Sequence, residues 1–152
     1  FNQFEQLYDV RIVLELAAVK KLCEMEPAPN LEDLKRIWLV KPEDRLEDGP
    51  TVAGLDERFH EHLVEATGNA EMARIHHDIT ERLRIVRRID FTQRARVEAT
   101  YDEHAKILRT IIERRAEDVK SSLKTHIEAS KSEVRKITLH MLYEAKKMQA
   151  DD

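Results

Sequence analysis

Four side chains with metal-ligating chemistry lie on or beside the apolar faces of three predicted helices. Asp56 and His60 are four residues apart, so a carboxylate and an imidazole share one face of a single helical turn. His104 and His126 each occupy the apolar seam of a later helix. One oxygen and three nitrogens form a suitable ligand set for a divalent transition metal.

The spacing leaves metal-free interpretations open. Two buried imidazoles need partners for their ring nitrogens, and either a metal ion or a buried carboxylate would provide them. Asp56 and His60 lie at the edge of the face marked by Phe59 and Leu63, so a solvated pair is the alternative there. A ferritin-like di-iron site requires two Glu-x-x-His pairs, and only the pair formed by Glu57 and His60 fits.

Arg11 is a second candidate functional residue, because it lies at the centre of the apolar stripe of the first helix. A guanidinium in that position requires an anionic partner. Glu15, one turn later, would provide an internal salt bridge, whereas a functional Arg11 would bind the carboxylate of a ligand. Tyr101, one turn before His104, is the next candidate for contact with a ligand.

The remaining histidines are weaker candidates. His62 is predicted to point away from His60 on the same helix, and His77 is predicted to lie off the apolar face of its own helix. His76 and His140 flank apolar seams and are predicted to be partly buried structural residues. The charge runs are interpreted as solvated helix faces, and they include Arg87-Arg88 and Glu113-Arg114-Arg115.

Hydrophobic periodicity predicts helices and no strands. The predicted helices cover residues 1–26, 31–40, 51–66, 70–89, 93–114 and 116–148, with a kink in the last near residues 130–132. In the fourth, Ile75 is predicted on the apolar face. Asn30, Asn69 and Thr92 are predicted caps, and Gly68 is a predicted helix terminator. We therefore predict one all-α domain over residues 1–152, an antiparallel bundle of about six to seven helices.

Composition narrows the class of protein. The 152 residues are 37% charged and 5% aromatic with a formal charge of −4, which favours a soluble helical domain. No basic stripe predicts direct binding of DNA or anionic lipid. No apolar run approaches the roughly 18–20 residues of a membrane span, and we expect no signal peptide. The lone Cys23 fits a reducing cytoplasm. Because the chain begins at Phe1, we expect a fragment of a longer protein.

Five short groups of residues occur in a recognisable order and spacing across the chain. They are Leu7-Tyr8-Asp9-Val10-Arg11 with Leu14-Glu15, then Asp56-Glu57-Arg58-Phe59-His60, then Ala66-Thr67-Gly68-Asn69, then Glu103-His104 with Ile107-Leu108, and Leu123 with His126-Ile127. Together they resemble the effector-binding C-terminal (FCD) domain of GntR-type bacterial transcription regulators of the FadR subfamily.

The resemblance implies an antiparallel helical bundle with a central ligand and metal cavity. In many members an Asp and three His hold a divalent metal, and these map to Asp56, His60, His104 and His126. Zinc suits a histidine-rich ligand set, while nickel, manganese and iron remain alternatives. The family arginine maps to Arg11, facing an effector that is commonly a small carboxylate or sugar acid. A winged helix-turn-helix normally precedes the domain, and we expect the parent protein to bind operator DNA through it as a homodimer.

The sequence thus predicts a non-enzymatic sensor in the cytoplasm. One alternative is a metal-dependent, hydrolase-like helical enzyme, since a metal with open positions activates water, although no obvious general base accompanies the four ligands. The other alternative is a structural interaction bundle that holds no metal.

Overall fold

The computed structural model describes residues 2–151, most of which are helical. Six α-helices are present, together with a 3-10 turn at Pro42–Asp44, and no strand occurs among the described residues. The helices are α1 (Asn2–Glu24), α2 (Glu32–Trp38), α3 (Gly49–Glu65), α4 (Ala70–Asp90), α5 (Arg94–Ile112) and α6 (Ala116–Ala150). The all-α prediction is confirmed, while Phe1, the first residue of the predicted first helix, lies outside the described residues.

The boundary between α3 and α4 follows from local chemistry. Gly68 adopts a left-handed φ of 76°, which a glycine tolerates without steric cost, and it ends the turn after α3 as predicted. The side chain of Asn69 then accepts a hydrogen bond from the backbone N–H of Met72 (3.0 Å) and caps α4. At the other end of α3, Asp48 caps the helix through the N–H of Thr51, so α3 begins two residues before the predicted start.

Two predicted caps are displaced or wrong. Asn30 precedes the cap position, which Leu31 occupies, and its side chain instead accepts from the backbone N–H two residues on (3.2 Å). Thr92 does not cap α5, because Gln93 holds that position. The Thr92 hydroxyl donates to the Ile89 carbonyl (2.7 Å) and so stabilises the end of the preceding helix.

Helix α1 occupies a central position in the bundle. It packs antiparallel to α6, where the hydroxyls of Tyr8 and Ser130 lie 3.5 Å apart and Lys131 Nζ lies 2.9 Å from Asp9. It also contacts α3, α4 and α5. One apolar core joins all six helices, and its largest fully buried members are Tyr8, Leu22, Trp38, Phe59, Leu63, Leu83, Tyr101, Ile107, Leu108, Leu123 and Ile127. This packing directs the inner faces of α1, α3, α4, α5 and α6 toward one another.

The last third of α6 extends past the bundle. The helix is continuous over 35 residues, with no break at the predicted kink near residues 130–132. His140 is exposed rather than partly buried, because residues 139–150 lie beyond the start of the antiparallel α1. Ile75 of α4, predicted on the buried face, is likewise exposed. Within residues 2–151, none of the helices combines the length and apolarity needed to cross a bilayer.

Candidate metal centre

The four predicted ligands meet at one point in the core. Oδ1 of Asp56 lies 3.0 Å from Nε2 of His104, 3.3 Å from Nε2 of His60 and 4.0 Å from Nε2 of His126. The Nε2 atoms of His60 and His126 are 3.2 Å apart. One ligand atom from each residue falls within a set whose members all lie within 4.8 Å of one another, and all four side chains are buried. The side chains converge from α3, α5 and α6.

Some donor atoms of this cluster have no hydrogen-bond partner, although the Nε2 atoms of His60 and His126 contact each other. Oδ1 of Asp56 and both ring nitrogens of His104 are buried and make no hydrogen bond with any described residue. Two ligand atoms bound to one ion at about 2.1 Å are separated by at most about 4.2 Å, and the distances to Asp56 fall within that limit. A buried cation would therefore satisfy atoms that otherwise pay an uncompensated desolvation cost.

Two carboxylates contact the Nδ1 atoms of His60 and His126, on the opposite side of each ring from the cluster. Glu15 contacts Nδ1 of His60, and Oε2 of Glu103 lies 2.5 Å from Nδ1 of His126. A proton held on Nδ1 by a carboxylate leaves the Nε2 lone pair directed at the centre of the cluster. The arrangement thus presents His60 and His126 in the tautomer that metal ligation requires.

Burial favours the neutral form of two histidines of the cluster, His104 and His126. Desolvation lowers the pKa of His104 well below its ordinary value, and it also lowers the pKa of His126 despite the opposing effect of Glu103. A neutral imidazole is the metal-binding form, so these two ligands require no deprotonation at neutral pH.

Arg87 neutralises the carboxylate of the cluster. Its Nη2 lies 2.5 Å from Oδ2 of Asp56, and both side chains are buried. Burial alone would raise the pKa of Asp56, but the charge of Arg87, together with the neighbouring His60, outweighs it and holds that pKa well below its usual range. The interpretation of Arg87 as part of a solvated charge run is therefore wrong. The position of Arg87 on α4 indicates that it is buried, because it lies on the same helix face as the buried Leu83 and Thr80.

The second candidate site residue, Arg11, is adjacent to this cluster. It is 1% exposed, and its Nε donates to Oε2 of Glu15 at 2.6 Å, which is the internal salt bridge considered from the sequence. Burial opposes ionisation of Glu15, but Arg11 and His60 hold the pKa of its carboxyl well below the usual range. Nη1 of Arg11 remains buried without a hydrogen-bond partner among the described residues. Internal pairing with Glu15 thus leaves Nη1 of the guanidinium uncommitted.

Tyr101 lies one aromatic ring away from the cluster. Trp38 separates it from His104, with ring centroids 5.0 Å from Tyr101 and 4.2 Å from His104. The Tyr101 hydroxyl accepts a hydrogen bond from the backbone N–H of Leu46 (3.1 Å). The residue lines a surface pocket of about 700 Å³ between the segment before α3 and the start of α5, and the guanidinium carbon of Arg45 lies 5.4 Å from the centroid of its ring.

The four converging residues are those predicted from the sequence, whereas the residues that support them, Glu15, Glu103 and Arg87, have no predicted role at the metal centre. The sequence predicts Glu15 as a partner of Arg11 and as part of the family resemblance, and Glu103 only as part of that resemblance. His76, predicted as a partly buried structural residue, is 1% exposed, and its Nε2 lies 3.3 Å from Glu15. The position of such a residue on the apolar face of its helix predicts that it is buried. Its partners lie on other helices, so their identity depends on how the helices pack.

Comparison with known proteins defines the class. The FCD domain family matches residues 6–129, and the chain belongs to that family. FCD domains are the C-terminal domains of GntR-family transcription regulators, a non-enzymatic family, in agreement with the sequence prediction. A curated relative, the Nta operon transcriptional regulator of Aminobacter aminovorans, is 27% identical over 127 residues. The alignment covers 84% of this chain and 59% of that relative, so the chain spans about three fifths of its length. None of the solved structures compared with the chain matches significantly.

Proposed function

We propose that this chain is the ligand-sensing domain of a GntR-type transcription regulator that holds a divalent metal and binds a small organic acid. Asp56, His60, His104 and His126 would hold the metal. The observation that carries the proposal is the convergence of these buried donor atoms, of which Asp56 Oδ1 and His104 Nε2 have no hydrogen bond of their own. Zinc suits the ligand set best, and nickel, manganese and iron are the competing ions.

The effector would be a small carboxylate or a sugar acid. A bound metal would supply a Lewis-acidic charge for an effector oxygen, since four protein ligands leave two positions of an octahedral ion open. Arg11 would pair with a carboxylate of the effector through Nη1, the donor that Glu15 does not use. Tyr101 is the second residue that we propose to bind the effector. The variant Tyr101→Phe tests whether its hydroxyl contributes to that binding.

Effector binding would modulate DNA binding by a winged-helix domain of the parent protein. The parent protein would be a homodimer in the cytoplasm. Helix α1 carries Arg11 and Glu15 and would adjoin that domain. An effector that binds two arrangements of α1 with different affinities shifts their populations, and thereby the affinity for operator DNA. Two-fold symmetry of the dimer would match a palindromic operator.

A thermal-shift screen tests this function. Metal-loaded and chelator-treated domain would be screened against small carboxylates and sugar acids, alongside Arg11→Ala and the exposed control Arg74→Ala. We expect at least one acid to raise the Tm of the metal-loaded wild type and of the control, but not of Arg11→Ala or chelated protein. A domain whose Tm responds to neither chelator nor any acid would support the metal-free interaction bundle instead. Turnover of esters by the metal-loaded domain would support the hydrolase-like alternative.

A further inference from the structure

Glu15 joins the candidate effector arginine to a candidate metal ligand. The side chain is completely buried, and its two oxygens have different partners. Oε1 contacts Nδ1 of His60, whereas Oε2 accepts from Nε of Arg11 at 2.6 Å and lies 3.3 Å from Nε2 of His76. One carboxylate on α1 therefore contacts α3 and α4 as well as a second residue of its own helix.

We propose that Glu15 is a positioning residue that couples Arg11 to His60, so that neutralising Arg11 strengthens metal binding. This inference rests on the proposed function, since it requires His60 to be a metal ligand and Arg11 to meet the effector.

The coupling follows from competition for one carboxylate. In the domain without effector, the positive charge of Arg11 attracts the negative charge of Glu15. This attraction makes Glu15 a weaker hydrogen-bond acceptor for the Nδ1 proton of His60. An organic acid that pairs with Nη1 of Arg11 offsets that charge, and Glu15 then binds the His60 proton more strongly. A carboxylate that accepts this hydrogen bond makes the imidazole a better metal donor. Metal and acid therefore bind cooperatively, and each raises the affinity of the other by the same factor.

Glu103 provides a matched control for Glu15. It supports Nδ1 of His126 at 2.5 Å, as Glu15 supports His60, but its cationic partner is Arg96 rather than Arg11. Both carboxylates should contribute to metal affinity through their histidines. Only Glu15 should transmit a change made at Arg11.

The test is a double-mutant cycle on zinc affinity, which requires no effector. Zinc dissociation constants would be measured by competition with a chromophoric chelator for Arg11→Met in three backgrounds: wild type, Glu15→Gln and Glu103→Gln. We expect each Gln substitution alone to weaken zinc binding about 10–100-fold. We expect Arg11→Met to tighten zinc binding about 3–10-fold in the wild type and in Glu103→Gln, and to leave it unchanged in Glu15→Gln.

The outcomes separate the coupling from the proposed function. An effect of Arg11→Met that is the same in all three backgrounds would overturn the coupling while leaving the metal site intact. A folded wild type that binds no zinc, nickel or manganese would overturn the proposed function itself. If Arg11→Met does not fold, Arg11→Gln replaces it, because glutamine keeps a donor for Glu15 but carries no charge.

Discussion

Arg87 and Asp56 form a buried ion pair that leaves the other carboxylate oxygen free for three histidines. Nη2 of Arg87 lies 2.5 Å from Oδ2, while Oδ1 is directed at the Nε2 atoms of His60 and His104. The pair explains how a carboxylate is held ionised in an apolar core before any metal binds. Arg87 therefore balances the negative charge of Asp56 without being one of the proposed metal ligands.

Removal of Arg87 should destabilise the metal-free domain more than the metal-loaded one. Arg87→Met leaves Asp56 as a buried, unpaired charge, a change that typically costs about 3–5 kcal/mol. A bound cation would offset most of this cost, so urea unfolding with and without zinc should show a metal-dependent recovery. The control is Arg88→Met, an exposed neighbour 3.8 Å from Glu57, for which we expect a change within about 0.5 kcal/mol. Equal destabilisation of Arg87→Met with and without metal would contradict this assignment.

The single tryptophan should report metal binding directly. Trp38 is the one tryptophan of the chain, and its ring centroid lies 4.2 Å from that of His104. Because open-shell ions quench nearby excited indoles, nickel should quench Trp38 fluorescence and saturate at one equivalent, and zinc should produce a smaller change. His104→Ala should abolish the response, whereas His140→Ala, an exposed histidine, should retain it. Unchanged emission in nickel-loaded protein would argue against ligation by His104.

Metal retention should persist into mildly acidic solution. Protons displace a metal by charging its histidines, and burial lowers the pKa of His104 and His126 below that of a free imidazole. Release should therefore begin only as the pH falls through these lowered values. The measurement is metal content after dialysis at a series of pH values. Release that is already complete at the pKa of a free imidazole, about 6.5, would contradict this expectation.

Asp90 should make the metal-free domain less stable as the pH rises. Burial raises the pKa of this carboxyl to about 6, against about 3.9 in an unfolded chain. Because the folded state holds the proton more tightly, this contribution is complete below the unfolded pKa. It is then lost as the pH rises through about 6. The loss corresponds to at most about 3 kcal/mol.

Asp90→Asn should remove this pH dependence and raise the free energy of unfolding at pH 7.5. Urea unfolding of the chelator-treated protein between about pH 4.5 and 7.5 measures both effects. The exposed Asp78→Asn serves as a control on α4. Parallel pH profiles for Asp90→Asn and the wild type would refute the role assigned to Asp90.

Much of the fold and of the candidate site was predictable because helical periodicity reports burial one helix at a time. The seam phases of His104 and His126 predicted inward-facing imidazoles, and both are buried. Gly68 and Asn69 predicted a boundary from local backbone chemistry, which depends on no distant residue. The all-α class followed from the same signals.

The supports of the site could not be predicted because they depend on which helices become neighbours. Arg87 resembles any arginine in a charge run until α4 is placed against α3 and Asp56 becomes its partner. Asp56 and His60 were predicted at the edge of a buried face, yet packing of α1, α5 and α6 encloses them completely. The opposite error at His140 has the same origin, since an apolar seam is buried only where another helix covers it.

Elemental analysis of the purified domain tests the central claim most directly. Protein prepared without a histidine tag or added metal would be compared with the double variant His104→Ala/His126→Ala. The control is His62→Ala/His140→Ala, which removes two histidines that lie outside the cluster. Circular dichroism would verify that each variant remains helical. We predict about one transition-metal ion per chain in the wild type and the control, and none in the double variant. Stoichiometric metal in the double variant, or a wild type that cannot be loaded with zinc, nickel or manganese, would contradict the site.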